Sequence, residues 1–399
     1  MIGAGPAGLV AAETLARHGA RVTIYEHKAS PARKFLMAGR GGLNLTHSEK
    51  LERLIARYGD AAPALEPLIR AFPPQALRDW CASLGEETFV GSSGRVFPRS
   101  FKASPLLRGL LARLGSLGVV LQTGVRFEGF AANGAPLLRG ADGVIDCQPK
   151  AVVLATGGAS WARLGSDGAW VQMVEAAGVE VTPLAPANCG ALVKWSSRFR
   201  DDFEGQPLKT IAVRFGVEQV RGDVVVTRRG LEGGPVYALS SRIRAAAQRD
   251  GVAMLHIDLR PDSTLETLTR KLSRRVPGQS LATFLRKAGL SRFETATMRE
   301  SHPEGLPKDP AKLAMLVKNA SIEARGVAGL ERAISTAGGV AFDEVGADLM
   351  LRKLPGVFVC GEMLDFDAPT GGYLLQAAFS TGVAAGRGAA RFLGLNPDS

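Results

Sequence analysis

Apolar residues recur at helical spacing from Leu9 to His18 and stop at Gly19. An apolar strand-like run follows, Arg21-Val22-Thr23-Ile24-Tyr25, and ends at Glu26. Residues 51–115 read as mostly helical, with a break at Phe72-Pro73-Pro74 and a loop from Gly91 to Ser104. Val119 to Leu121, Val125 to Phe127 and Gly143 to Ile145 read as short strands of a small sheet. Ala151 to Ala155 is a buried strand that runs into Thr156-Gly157-Gly158, and a helical stretch follows from Gly168 to Ala177.

From about Pro186 the pattern changes. Strand-like pieces (Ile211 to Phe215, Val224 to Thr227, Met254 to Leu259) surround one helix, Tyr237 to Gln248, and helical periodicity dominates 264–333. Strand-and-glycine character then returns at Ser335 to Val340 and Val357 to Glu362, before a helix from about Gly372 to Leu393. Glycine-terminated strands at both ends of the chain, with a different module between them, predict a doubly wound nucleotide-binding domain interrupted by an insertion. The expected division is 1–188 with 334–399, an inserted β-rich module at 189–263, and a helical subdomain at 264–333.

Gly3-Ala4-Gly5-Pro6-Ala7-Gly8 stands before the first helix in the G-x-G-x-x-G pattern of a dinucleotide-binding turn. Glu26 falls where an acid hydrogen-bonds a ribose hydroxyl. Only Met1 and Ile2 precede the glycines, which reads as a shortened first strand. If the last strand lies beside the first, Gly361, Glu362 and Asp365 face the same crevice, with the acids toward sugar-like hydroxyls. Thr370-Gly371-Gly372-Tyr373 then opens the final helix, with free N–H groups and the positive end of its dipole toward the ligand. An isoalloxazine fits this arrangement, because a helix N-terminus stabilises the anion formed on reduction by about 0.5–2 kcal/mol. A plain NAD enzyme does not need the second glycine-rich return, whereas FAD, crossing the whole crevice, does. Gly371-Gly372 as a mere tight turn is the competing reading.

Composition narrows the classes. Hydrophobic residues make up 46% and charged residues 22%, as in an ordinary globular enzyme. No apolar run reaches the roughly 18 residues of a membrane span, and nothing resembles a signal peptide. Cys81, Cys147, Cys189 and Cys360 are far apart, which points to a reduced, cytoplasmic protein with no metal site. The net charge of +11 raises nucleic acid as a partner. The basic residues nevertheless look spread along the chain, with Arg228-Arg229 and Arg274-Arg275 only as pairs, so a nucleic-acid partner is not expected.

Taken together, these segments resemble the bacterial flavoprotein family of the BaiN/YhiN type, also known as the aminoacetone oxidase family. The resemblance runs nearly end to end: Gly3 to Gly8, Glu26, Lys34, the Gly39–Asn44 loop, Ala155 to Gly158, Gly165 to Gly168, Gly230 through Pro235, Ile257 to Pro261, Thr336 to Val340, Gly361 to Asp365, Thr370 to Tyr373 and Gln376 to Ala378. It implies an α/β fold, a Rossmann-like FAD-binding domain interrupted by an inserted β-rich module and a helical subdomain. It places FAD on Gly3, Gly5, Pro6, Ala7, Gly8, Glu26, Lys34, the loop with Arg40, Gly41 and Asn44, the backbone at Val125, Thr156 and Gly157, and the return of Gly361, Glu362, Asp365, Gly371, Gly372, Tyr373, Leu374 and Leu375. The chain also departs from the family. Its loop reads Gly39-Arg40-Gly41-Gly42-Leu43-Asn44 where Gly-Gly-Gly-Arg-Cys-Asn is common. Leu374 replaces a frequent Asn, Arg228 a His and Glu232 a Ser, so substrates of better-studied branches do not transfer.

The flavin would carry hydride or electron transfer while the protein positions the substrate. Arg40 and Tyr373 are the candidate catalytic side chains. Arg40 suits a bidentate bond to a substrate carboxylate or the pyrophosphate, or is a solvated loop arginine. Tyr373 suits proton donation or cover over the ring, or is a packed aromatic. Asn44 suits flavin or ribityl oxygens. His47 fits a helix cap better than a catalytic role. Expected reactions on a small metabolite are NAD(P)H-driven reduction of an activated double bond, with nicotinamide a transient visitor, or oxidation of an amine or alcohol with oxygen as acceptor. An RNA-modifying flavoprotein and a non-catalytic flavin binder are the alternatives. The oligomeric state stays open.

Overall fold

The computed structural model describes residues 1–39, 41–276 and 278–396. The chain forms two compact units, residues 1–185 with 334–399 and residues 186–333.

The first unit is built on a parallel sheet. Strand Val120–Thr123 pairs with Thr23–Glu26, with Thr23 opposite Val120. Ile2 bridges Tyr25 on one side and Leu154 on the other, and strand Val152–Leu154 pairs with Val357–Val359. The last strand therefore does not lie beside the first, as the sequence had suggested; Val152–Leu154 stands between them. The reason is local: Ile2 donates to Val153 O at 2.9 Å and accepts from Ala155 N at 2.8 Å, so that edge of the first strand is already taken. Val120–Thr123 also differs from expectation, because it joins the main sheet. The small antiparallel sheet consists of Arg126–Phe130, Pro136–Gly140 and Gly143–Ile145.

Helix Pro6–Arg17 begins with proline at its first position, where a missing N–H costs nothing, and it buries Leu9, Val10, Ala11, Ala12 and Leu15. Gly8 permits its close seating, since a Cβ there would overlap the Gly3 carbonyl oxygen. Helix Tyr373–Phe392 packs along it. The small residues Gly382 and Gly386, one turn apart, face Ala7 and Ala11.

The second unit is a closed six-stranded barrel. Its order is Ala191–Val193, Gly230–Glu232, Glu218–Thr227, Pro207–Phe215, Ala253–Asp258 and Ala320–Val327, and Ala191 paired with Val327 closes it. Along Ala253–Asp258 the residues Ala253, Leu255 and Ile257 point inward and alternate with more exposed ones, the period of two that a barrel wall requires. Ile211, Val213, Val224 and Val226 join them in the core. Helices Ser197–Phe203, Gly234–Asp250, Leu265–Leu272, Leu281–Lys287, Arg292–Glu300 and Pro310–Lys318 also belong to the unit. The barrel strand Ala320–Val327 falls within the stretch whose periodicity reads as helical.

Candidate active site

One cavity of about 630 Å³ opens in the first unit, and all of its lining residues belong to that unit. It is reached by two helix N-termini. Helix Pro6–Arg17 contributes Gly5, Pro6 and Ala7, and helix Tyr373–Phe392 contributes Gly371, Gly372, Leu374 and Leu375. Neither helix has a side-chain cap. The first intrahelical donors are Leu9 N, bonded to Gly5 O at 2.9 Å, and Gln376 N, bonded to Gly372 O at 2.9 Å. The N–H groups before them lack an intrahelical acceptor and carry the positive ends of two helix dipoles. At Gly372 (φ +100°) a Cβ would sit 2.5 Å from Thr46 Cα, so backbone rather than side chain faces the cavity there.

Glu26 closes one end. Its Oε2 accepts from Ala4 N at 3.0 Å and its Oε1 from Lys28 N at 2.8 Å, with His27 Nδ1 3.2 Å away. Burial pushes the carboxyl's pKa up, but these bonds, His27 first, outweigh it and hold the group below its ordinary range. Glu362 is gripped from several directions. Its Oε2 pairs with Lys34 Nζ at 2.6 Å, its Oε1 accepts from Thr336 N at 3.0 Å, and Gly158 N lies 3.4 Å from Oε2. Lys34 Nζ also donates to Ser160 Oγ at 2.6 Å. One ion pair thus ties helix Arg33–Ala38, the 158–160 loop, strand Ser335–Val340 and the Gly361 return together.

Three lining side chains hold buried polar atoms without a hydrogen-bond partner: Asn44 Oδ1, Ser166 Oγ and His27 Nε2. His27 Nε2 is 4.0 Å from Asp167 Oδ2, beyond hydrogen-bond reach. Buried polar atoms are normally satisfied, so unmatched ones on a cavity wall suit a polar ligand. One dipole end for a pyrophosphate and a second for an electron-rich ring, an acid held ionised beside the first, apolar walls and these unmatched groups together fit an FAD molecule. Trp161 also lines the cavity, at φ +64°, a conformation in which a bulky side chain is strained.

Of the sequence candidates, Gly3, Gly5, Pro6, Ala7, Glu26, Lys34, Asn44, Val125, Thr156, Gly157, Gly361, Glu362, Gly371, Gly372, Leu374 and Leu375 line the cavity. Gly8, Gly41 and Asp365 do not, and Arg40 lies outside the described residues. Tyr373 does not line it either. Its ring stacks on His47 at 5.5 Å, its hydroxyl donates to Glu49 Oε1 at 2.5 Å, and Arg57 sits 5.9 Å over the ring. These partners hold the first side chain of the helix off the cavity wall, which Gly371, Gly372, Leu374 and Leu375 form instead. Cys360 is a lining residue, but burial pushes its thiol up to about 12. His27, Trp161, Ser166, Trp170 and Met173 were missed as site residues. Ser166 lies in the Gly165–Gly168 segment and His27 directly follows Glu26, so position relative to those motifs was the available signal. Among the described residues no group of His, Cys, Asp and Glu is placed to hold a metal, and no helix is long and apolar enough to cross a membrane.

The description "HI0933-like protein Rossmann domain" matches residues 1–388, and the chain belongs to this Rossmann-type FAD-binding family of oxidoreductases. The chain is 28% identical to the 3-dehydro-bile acid delta(4,6)-reductase of Clostridium scindens over 98% of both chains. It is 25% identical to the ribosomal RNA dihydrouridine synthase of Escherichia coli over 96% of this chain and 95% of the other. In fold it is similar to the 3-ketosteroid delta1-dehydrogenase of Sterolibacterium denitrificans in complex with 1,4-androstadiene-3,17-dione, with TM-score 0.55, 12% identity and 98% of each chain covered.

Proposed function

We propose that this FAD-dependent oxidoreductase reduces a carbon–carbon double bond conjugated to a carbonyl, with NAD(P)H as electron donor. The observation that carries the reading is the cavity of about 630 Å³ served by two uncapped helix N-termini, one from each end of the chain. Bound FAD supplies acceptance and donation of a hydride, a chemistry that no side chain here provides. In the net change the double bond gains one hydride and one proton, and NAD(P)H becomes NAD(P)⁺.

The chain's own groups prepare this. The Gly5–Ala7 helix start would receive the pyrophosphate, and Glu26 would accept from ribose hydroxyls. Asn44 would offer its free Oδ1 to a ribityl hydroxyl, and the Lys34–Glu362 pair fixes the walls. The Gly371–Leu375 helix start would favour negative charge on the ring by about 0.5–2 kcal/mol. Two relatives favour reduction over amine or alcohol oxidation. One is named as a delta(4,6)-reductase, and the other as making dihydrouridine, which is uridine with its ring double bond saturated. All four cysteines are free thiols, in keeping with a reducing compartment such as the cytoplasm.

The test is anaerobic stopped-flow. Protein reduced by NADH or NADPH should be reoxidised by an α,β-unsaturated ketone or by a uracil derivative. If simple amines or alcohols bleach the oxidised protein and no conjugated double bond reoxidises the reduced one, the direction is wrong.

A further inference from the structure

Gly157, Gly158, Gly165 and Gly168 crowd the stretch between strand Val152–Leu154 and helix Trp170–Ala176. The left-handed position at 161 nevertheless carries tryptophan, at φ +64° and ψ +53°. A bulky side chain is disfavoured there, and glycine would be free of that strain. Strain of this kind persists only where surrounding contacts enforce it, and it gathers at ligand clamps.

Both ends of the strained stretch are pinned. Ala159 N and Ser160 N donate to Thr336 Oγ1 at 2.8 Å and 3.1 Å, and Ser160 Oγ accepts from Lys34 Nζ at 2.6 Å. Downstream, Gly168 N donates to Gly158 O at 3.1 Å, and the Cβ position of Gly165 lies 3.2 Å from His27 Cε1. Residues 160–166 therefore form a strap from the Lys34–Glu362 pair to the Glu26–His27 end of the cavity. Trp161, Leu164, Gly165 and Ser166 of this strap all line the cavity. Ser166 is buried, and its Oγ has no partner. The strap thus offers the cavity an apolar ring near one end and an unmatched hydroxyl near the other.

Packing does not explain the tryptophan. Trp170, on the same cavity, is 3% exposed, and its indole N–H donates to Gly157 O at 2.8 Å. Trp161 is only partly buried, and among the described residues its indole makes no hydrogen bond. Its partner is Arg163, whose guanidinium lies over the ring, 5.2 Å from the centroid. Arg163 is exposed and, among the described residues, pairs with no acid. A cation over one face of an indole steadies the ring.

We propose that Trp161 retains FAD: its indole, steadied by Arg163, covers the bound cofactor and slows its escape. The inference rests on the assignment of this cavity to FAD. An aromatic cover suits a ligand whose isoalloxazine and adenine are both planar rings. Binding offsets the strain, which the empty protein carries alone.

The experiment compares Trp161→Gly, Trp161→Phe and Arg163→Met with the parent protein. Two quantities are read: release of FAD from the loaded protein after dilution, by the rise in flavin fluorescence, and melting of the apoprotein by circular dichroism. Trp161→Gly should release FAD about tenfold faster or more. Relief of strain and the added freedom of the unfolded chain oppose one another, so its apoprotein should melt within about 3 °C of the parent. Trp161→Phe keeps a ring and should release FAD within about threefold of the parental rate. Arg163→Met loses the cation and should release FAD about two- to fivefold faster. Parental release from Trp161→Gly would overturn the proposal. So would a Trp161→Gly apoprotein that melts about 5 °C or more below the parent, the mark of a packing residue. Either outcome leaves the FAD assignment standing, whereas a parent protein that takes up no FAD removes both.

Discussion

Replacing Gly5 by alanine separates a ligand role from a structural one. Gly5 lies at φ −81° and ψ −179°, an extended conformation open to any residue, and a Cβ built on it meets no atom within 4 Å. Alanine is a poorer N-cap than glycine, by up to about 1 kcal/mol. Restricting the unfolded chain returns about 0.4–1 kcal/mol. The stability of the apoprotein should therefore change by less than about 1 kcal/mol. The added methyl stands in the cavity where, on the proposed reading, the helix start would meet the pyrophosphate. Displacing one charge-assisted hydrogen bond costs about 1.5–3 kcal/mol, which is a loss of FAD affinity of about 10- to 150-fold. Gly8→Ala is the counterpart. Its methyl would overlap the Gly3 carbonyl oxygen, and overpacking of that kind destabilises by about 3 kcal/mol. Thermal unfolding of the apoproteins and titration with FAD read both effects. A Gly5→Ala protein with parental FAD affinity would refute the placement of the pyrophosphate at this helix start.

Other expectations follow from the same geometry. Lys34→Met leaves Glu362 without its cation; the pair is only partly exposed, so about 2 kcal/mol of stability should be lost in urea unfolding, with weaker FAD retention. Tyr373→Phe removes the bond to Glu49 and should lower stability by about 1 kcal/mol while leaving kcat within about twofold; a large fall in kcat with a changed pH profile would return Tyr373 to the chemistry. Glu26 has a depressed carboxyl pKa, so its contribution is complete above the ordinary value near 4.5 and is lost as pH falls through the lower folded value. Glu26→Gln should thus be less stable than the parent near neutrality, and the difference should shrink below that pH in urea titrations.

Much of the first unit was legible because its signals are local. Gly3 to Gly8, the helix after them and Glu26 lie within one βαβ unit, where turn chemistry and spacing act over a few residues. The order of the remaining strands was not legible. Whether Val357–Val359 sits beside Ile2 or beside Val152–Leu154 is decided by hydrogen bonds between residues far apart in sequence. Barrel closure is similar: Ala191 meets Val327, and nothing near either residue announces the other. Ala320–Val327 was hidden for that reason, inside a stretch of helical periodicity. On the cavity wall, glycines such as Gly5, Gly371 and Gly372 were legible from their motifs, although Gly8 and Gly41 do not line it. Side-chain contributors such as His27 and Trp161 were not, because their facing depends on how strand ends and loops converge. Tyr373 shows the converse: its motif was visible, yet its side chain points toward His47 and Glu49.

The most direct measurement is the visible spectrum of the purified protein, before and after anaerobic addition of NADPH or NADH. The account predicts a bound flavin band at one FAD per chain, bleached by a nicotinamide donor and restored by a carbonyl-conjugated double bond. A colourless protein that takes up no FAD on reconstitution would contradict it.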